Sequence, residues 1–267
     1  MTKITDSPVK FAVPKLTYKV WRVWRRNLDV FLKTVRVNFF PSLLEPILYL
    51  VALGLGLGGF IQSVEGIPYI NFIAPALVAI SLMNGSFFEC TYGSFVRMYF
   101  QKTFDAIIAT PVSVEEVIAG ELLWGATRAT INSTTVLVVI AAFGLVSSPL
   151  FFLVPLLAFL GGLMFASIAM CFTAIAPNID FFNYPAFLFV TPMFLLSGTF
   201  FPLSQLPPVV QTVAQVLLPL THVVNIARGL VLGSASVFLL FSLAWIVGVT
   251  IFFFVLSINL MKKRLIK

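Results

Sequence analysis

The chain has 267 residues, 60% of them hydrophobic and only 10% charged, with a mean hydropathy of +1.04. Water-soluble domains carry about 25% charged residues, so this composition excludes a soluble globular protein and specifies an integral membrane protein. The net charge of +7 is not a nucleic-acid signature, because most basic residues gather at the chain ends, where anionic lipid headgroups meet them.

The first residues are polar and basic, and no short apolar run with a small-residue cleavage site follows, so no cleaved signal peptide is expected. Lys15, Lys19, Arg22, Arg26, Asp29, Lys33 and Arg36 recur at intervals of 4, 3, 4, 3, 4 and 3 residues, which is one face of a helix. Val20, Trp21, Trp24, Leu28, Phe31, Leu32 and Val35 fill the opposite face. A basic face opposed to a tryptophan-rich apolar one predicts an amphipathic helix lying in the headgroup plane. The plainer alternative is a positive anchor ahead of the first span. Residues 1–37 are read as this N-terminal unit and residues 38–267 as the membrane domain.

A membrane-crossing helix needs roughly 20 mostly apolar residues. Six runs approach that length, at 39–61, 69–95, 122–146, 150–174, 184–199 and 237–260, the fifth being short. The expected fold is therefore all-α, an integral membrane protein with six transmembrane helices. Ser147, Ser148 and Pro149 form the turn between the third and fourth. Arg97 and Lys102 follow the second span, and Lys262, Lys263, Arg264 and Lys267 follow the sixth. With the N-terminal basic residues they define one side, which places both termini in the cytoplasm. The opposite connections carry a single basic residue, Arg228.

The long cytoplasmic connection covers 98–121. Residues 104–109 read as a short amphipathic helix ended by Thr110 and Pro111. Ser113 is placed to cap the next helix, with Glu116 completing a capping box. Such a knob suits the docking of a soluble partner; the plainer alternative is a solvated connector.

Three charged residues, Glu45, Glu89 and Arg128, fall in or at the ends of apolar spans, where each costs at least ~2.5 kcal/mol to insert. All three sit toward the cytoplasmic side, so a Glu89–Arg128 or Glu45–Arg128 pair is feasible. It would either neutralise itself and lock the bundle, or act in gating or in contact with a polar headgroup. Cys90 and Cys171 lie inside spans and imply no disulfide framework. GLGLGG at 54–59 is glycine-rich but lies in an apolar span, lacks lysine and follows no strand. Close helix packing explains it better than phosphate binding.

Residues 195–233 form a broken apolar stretch, interrupted by Pro202, Pro207, Pro208 and Pro219. It is too apolar for a soluble loop and too rich in proline for a plain span. It predicts short helices on the outer side before the last span, over 200–234. His222, Asn225 and Arg228 are three residues apart and read as a polar cap meeting outer headgroups or water, ahead of a cargo contact. A lone histidine builds no metal site, so no metal is expected. The abundance of phenylalanine, 29 residues against 10 acids, leans toward acyl or flat lipophilic cargo.

These pieces resemble the membrane subunit of type 2 ATP-binding-cassette exporters, the ABC-2 permease family, and most of all its nodulation lipo-oligosaccharide and drug-export permeases. The resemblance rests on Trp24-Arg25-Arg26-Asn27, LLEPILYLVALGLGLG at 43–58, Phe88-Glu89, Phe95-Val96-Arg97-Met98, ATPVS at 109–113, Gly120-Glu121, FASIAMCFTAIAP at 165–177, the stretch 191–222 and Arg228-Gly229. It implies a homodimer of permeases with two copies of a separate ATPase subunit, which binds the ATP and magnesium; no cofactor is expected on this chain. It implies that Trp21, Trp24, Arg25 and Arg26 belong to an interface helix. Phe104, Asp105, Ile108, Thr110, Pro111 and Val112 would form the coupling helix that meets the ATPase. Phe200, Phe201, Pro202, His222, Asn225 and Arg228 would belong to re-entrant helices closing the outer exit. The location implied is a bacterial inner membrane, in contact with membrane lipids and with no nucleic acid.

No Walker A sequence occurs, so ATP hydrolysis requires another subunit. The expected function is ATP-driven export of a lipid-linked, glycolipid or lipophilic substrate. An ion-coupled secondary carrier would need mid-membrane acidic or histidine relays and broken helices in both halves, and no acid follows Asp180. A membrane-embedded enzyme would need clustered His, Asp, Glu or Cys, which the spans lack.

Overall fold

A computed structural model describes residues 13–35, 44, 46–61, 63–234 and 237–266. Glu45 and Arg36 lie outside them, and so does much of the expected first span. Of that span, residues 46–49 are helical, and the chain then winds into a wide π turn over Leu50–Gly56 and a tight turn over Leu57–Gly59.

The N-terminal helix α1 spans Lys19–Lys33. A two-stranded hairpin, β1 (Ser63–Val64) with β2 (Ile67–Pro68), precedes α2, which runs Tyr69–Phe100. A short helix α3 (Thr103–Ile108) leads to the long α4 (Val114–Ala142). Then come α5 (Pro149–Ile175), α6 (Ile179–Leu196), α7 (Pro208–Leu217), α8 (Pro219–Leu232) and α9 (Val237–Leu265).

Among the described residues, four helices are long and apolar enough to cross a membrane: α2, α5, α6 and α9. A fifth passes the same test of length and composition if the bent pair α7–α8 counts as one. The third expected span falls in α4. That helix has ample length, but Glu115, Glu116, Glu121, Arg128 and Asn132 make its first two thirds too polar to stand out by composition.

Helix α5 is the centre of the bundle and packs on α2, α4 and α9. Small residues permit the approach. A Cβ on Gly162 of α5 would lie 2.5 Å from the Ala129 Cβ of α4, and one on Gly125 of α4 would lie 2.5 Å from Cys90 Sγ of α2. Gly125 with Ala129 and Gly162 with Ala166 are four apart, the small-residue spacing that lets apolar helices pack without a hydrophobic driving force. Of the glycine-rich run, Gly54 alone shows such packing, against Ile70; a Cβ on Gly56 or Gly59 would meet nothing within 4 Å.

Hydroxyls inside the bundle return to the carbonyl one turn back, as Ser86 does to Leu82, Thr130 to Ala126 and Thr250 to Ile246. In hydrocarbon this satisfies a group that water cannot reach. The outward faces of α6 and α9 are apolar, with Phe187 70% and Ile251 63% exposed in the isolated chain. Such faces suit lipid or a neighbouring helix rather than water.

Candidate functional site

Helix α1 does not float free of the bundle. Val20, Val23, Asn27 and Phe31, spaced 3, 4 and 4, form a buried seam against α4. Gly120 opens the seam, because a Cβ there would lie 2.6 Å from the Val23 Cβ. Trp24 Nε1 donates to Thr127 Oγ1 at 2.8 Å. Trp21 stacks on Trp24 at 4.0 Å and is 58% exposed, and Leu32 is likewise exposed. The helix therefore carries three sectors: a protein-facing seam, an exposed apolar edge and a basic face that includes the exposed Arg25. The two-sector pattern of headgroup-plane helices omitted the first, because Asn27 breaks the apolar stripe.

The N-terminal side of α1 is tied to the start of α4. The Lys15 backbone N–H donates to Glu115 at 2.7 Å, and the Thr17 hydroxyl donates to Glu116. Lys262 of α9 pairs with Glu115 at 2.6 Å. The expected capping box is present: Ser113 Oγ accepts from the Glu116 N–H at 3.2 Å, and Glu116 Oε2 accepts from the Ser113 N–H at 2.8 Å. The hydrogen bond from Lys262 holds the Glu115 carboxyl below the usual carboxylate range. Burial raises Glu116, but the Thr17 hydroxyl and the Ser113 N–H outweigh it and leave it low as well.

Beneath α1 lies a network of five charged side chains. Glu121 of α4 is completely buried and accepts from Asn27 Nδ2 at 2.7 Å, Ser94 Oγ at 2.8 Å, and Arg97 Nε and Nη2 at 3.0 and 2.6 Å. Glu89 of α2 accepts from Arg97 Nη1 at 2.8 Å and from Trp124 Nε1 at 2.9 Å. Arg128 of α4 approaches Glu89 at 3.5 Å and lies 4.6 Å from the Phe31 ring centroid. Arg26 donates to Asn27 Oδ1 at 2.9 Å, and burial lowers its pKa.

The expected Glu89–Arg128 proximity is thus present, but Arg97 is the main partner of both carboxylates. Glu45 lies outside the described residues. Sequence reasoning assigned no site role to Glu121, Arg97, Asn27 or Ser94. In a plain α-helix, residues 89 and 97 would be turned about 80° apart. A π turn at Glu89–Gly93 inserts one residue and leaves them about 20° apart. Gly93 gives the pair room, since a Cβ there would lie 3.1 Å from Glu89 Oε1. A cavity of about 380 Å³ opens on this network, lined by Arg26, Asn27, Phe31, Glu89, Arg97 and Arg128 among others.

The short helix α3 lies at the same end. Phe104 is completely buried and anchors the short helix to the bundle. Ile107 and Ile108, half-buried against the same core, add to that hold. Asp105, Thr110 and Pro111 are exposed, and Ile108 and Val112 are half-buried.

At the opposite end, α7 and α8 meet at 88° across Leu218 and Pro219. His222 is completely buried: Nε2 contacts the Gln215 carbonyl at 2.9 Å, Nδ1 faces Ser242 Oγ at 3.2 Å, and the ring stacks on Trp245 at 4.4 Å. Arg228 donates to the Gly198 carbonyl at 2.9 Å, with its guanidinium 3.9 Å from the Phe72 ring centroid. Asn225 is half-buried. These residues do not form a common polar cap, because each three-residue step drifts about 60° around a helix. His222 accordingly faces α9 while Arg228 faces α2. Pro202 is buried, Phe200 packs edge-on to Phe194, and Phe201 is 51% exposed. Among the described residues, no group of three His, Cys, Asp or Glu side chains could hold a metal ion.

The ABC-2 type transporter family profile matches residues 18–232. The chain is 38% identical over 255 residues to nodulation protein J of Rhizobium meliloti (strain 1021), covering 95% of this chain and 97% of that protein. It is 38% identical over 247 residues to nodulation protein J of Sinorhizobium fredii (strain NBRC 101917 / NGR234), covering 91% and 93%. The inner membrane transport permease YadH of Escherichia coli (strain K12) is 22% identical over 241 residues, covering 90% and 93%. With its long apolar helices and a match across most of its length, the chain belongs to the ABC-2 type transporter family as a multi-pass membrane permease subunit.

Proposed function

We propose that this permease is the membrane half of an ATP-driven exporter, moving a lipid-linked, glycolipid or lipophilic substrate from the cytoplasmic side outward. The observation that carries the reading is the joint packing of α1, α3 and the start of α4 at one end of the bundle. There α3 and the turn after it present Asp105, Thr110 and Pro111 outward from a buried Phe104 anchor. A rigid knob tied to spans through Glu115, Glu116 and Lys262 can pass a push from a soluble motor to the bundle. Two copies of a separate ATPase, holding ATP and magnesium, supply that push to a homodimer. In this reading α4 and the stretch 39–61 complete six crossings around an N-terminal unit of residues 1–37. Both termini face the cytoplasm of a bacterial inner membrane. The bent pair α7–α8 is the re-entrant outer gate, and the network of Glu89, Arg97, Glu121 and Arg128 locks α1 to α2 and α4. The relatives named for nodulation, and the one named a transport permease, support an export role.

The test is co-purification with the cognate ATPase. Substituting Asp105→Arg and Thr110→Arg on the exposed face should abolish complex formation while leaving the permease folded. Deleting the whole segment would also remove the Phe104 anchor and confound the result. Undiminished complex formation in the double variant would refute α3 as the coupling element.

A further inference from the structure

The cavity under α1 is rich in charged hydrogen-bond donors. Three guanidinium groups, Arg26, Arg97 and Arg128, line it against one lining carboxylate, Glu89. Each guanidinium offers five N–H donors and no acceptor. The two carboxylates in reach are already engaged: Glu121 by Asn27, Ser94 and Arg97, and Glu89 by Arg97 and Trp124. Arg128 reaches Glu89 at 3.5 Å, and among the described residues its buried Nε makes no hydrogen bond. Among the described residues, the Arg26 side chain hydrogen-bonds neutral partners, Asn27 and Thr103. Among the described residues, three arginines against Glu89 and Glu121 leave a surplus of one positive charge, 3 − 2 = 1.

Planar guanidinium donors around such a surplus complement a tetrahedral oxyanion. The volume, about 380 Å³, matches a small-molecule site of roughly 300–1,000 Å³ and exceeds what a bare phosphate needs. Val30, Phe31 and Val96 add an apolar wall to the charged one. We infer that the cavity binds the phosphate group of an anionic lipid headgroup, with Arg26 and Arg128 as its direct donors. Arg97 is held by both glutamates and positions Glu89 beside Arg128. The site requires neither the ATPase nor the cargo, so its fate is separable from that of the export reading.

The experiment uses the purified full-length permease in detergent, titrated with short-chain phosphatidylglycerol, short-chain phosphatidylcholine and inorganic phosphate. Phosphatidylglycerol should bind at least tenfold more tightly than phosphatidylcholine, whose choline offsets the phosphate charge. Arg26→Gln and Arg128→Gln should each weaken phosphatidylglycerol roughly tenfold, the effect of one lost charged hydrogen bond. Lys33→Gln removes the same charge from an exposed position on α1 outside the cavity and should leave binding unchanged. Inorganic phosphate binding as tightly as phosphatidylglycerol, with the same dependence on Arg26 and Arg128, would overturn the lipid as the source. Equal binding by wild type and Arg26→Gln, or an equal loss in Lys33→Gln, would overturn the site itself. Arg26 lies outside the Glu89–Arg97–Glu121 ion pairs, so its variant decides the matter even where Arg128→Gln unfolds.

Discussion

Replacing Glu121 by alanine is the most direct probe of the buried network. Its carboxylate has no exposed surface and accepts four hydrogen bonds, from Asn27, Ser94 and twice from Arg97. Removing it takes the carboxylate acceptor from the Asn27 amide, the Ser94 hydroxyl and part of the Arg97 guanidinium. Breaking a buried ion pair by deleting one partner costs about 3–5 kcal/mol. At roughly 2–4 °C per kcal/mol for a chain of this class, Glu121→Ala should lower the apparent Tm by about 6–20 °C. The assay is thermal unfolding of the purified permease, followed by tryptophan fluorescence. The pair Glu121→Leu with Arg97→Met should recover part of that loss, because removing both charges leaves no unpaired ion. Glu89 then retains Trp124 and Arg128 as partners. A fall in Tm of under about 2 °C for Glu121→Ala, or a double variant that loses the sum of the two single ones, would refute the network as the lock between α1, α2 and α4.

Gly120→Val should pry α1 from α4, since even a Cβ there lies 2.6 Å from Val23. Overpacking of this kind costs about 1–3 kcal/mol, and faster limited proteolysis between α1 and the bundle would report it. Glu115 has a folded-state pKa below its unfolded one, chiefly through the Lys262 hydrogen bond. Its contribution to stability is therefore present above the usual carboxylate range and lost as pH falls through the lowered pKa. The Tm of Glu115→Gln should accordingly fall less than that of wild type between pH 7 and the acid limb; parallel curves would contradict the tether. Arg228→Met should loosen the outer segment by freeing the Gly198 carbonyl. A cysteine placed at the buried Thr199 should then react with a membrane-impermeant thiol reagent, having been protected in the parent.

Much of the architecture is legible in the sequence because membrane insertion is governed by local composition. The apolar runs at 69–95, 150–174 and 237–260 became α2, α5 and α9 because hydrocarbon accepts only helices with few charges. The Ser113–Glu116 capping box was legible for the same reason: its partners are three residues apart. Tertiary structure decided what depended on distant partners. Glu121 and Arg97 are separated by 24 residues, and Asn27 and Glu121 by 94, so no local pattern joins them. The π turn that aligns Glu89 with Arg97 has no composition of its own. His222 has the sequence of an outer polar cap, yet it is buried because α7, α8 and α9 converge on it. Local composition decides which segments leave water and where their charges gather. Only the packed bundle decided which of those charges meet, because a pairing inside a membrane depends on helix rotation and approach, and those are set by small residues such as Gly120, Gly125 and Gly162.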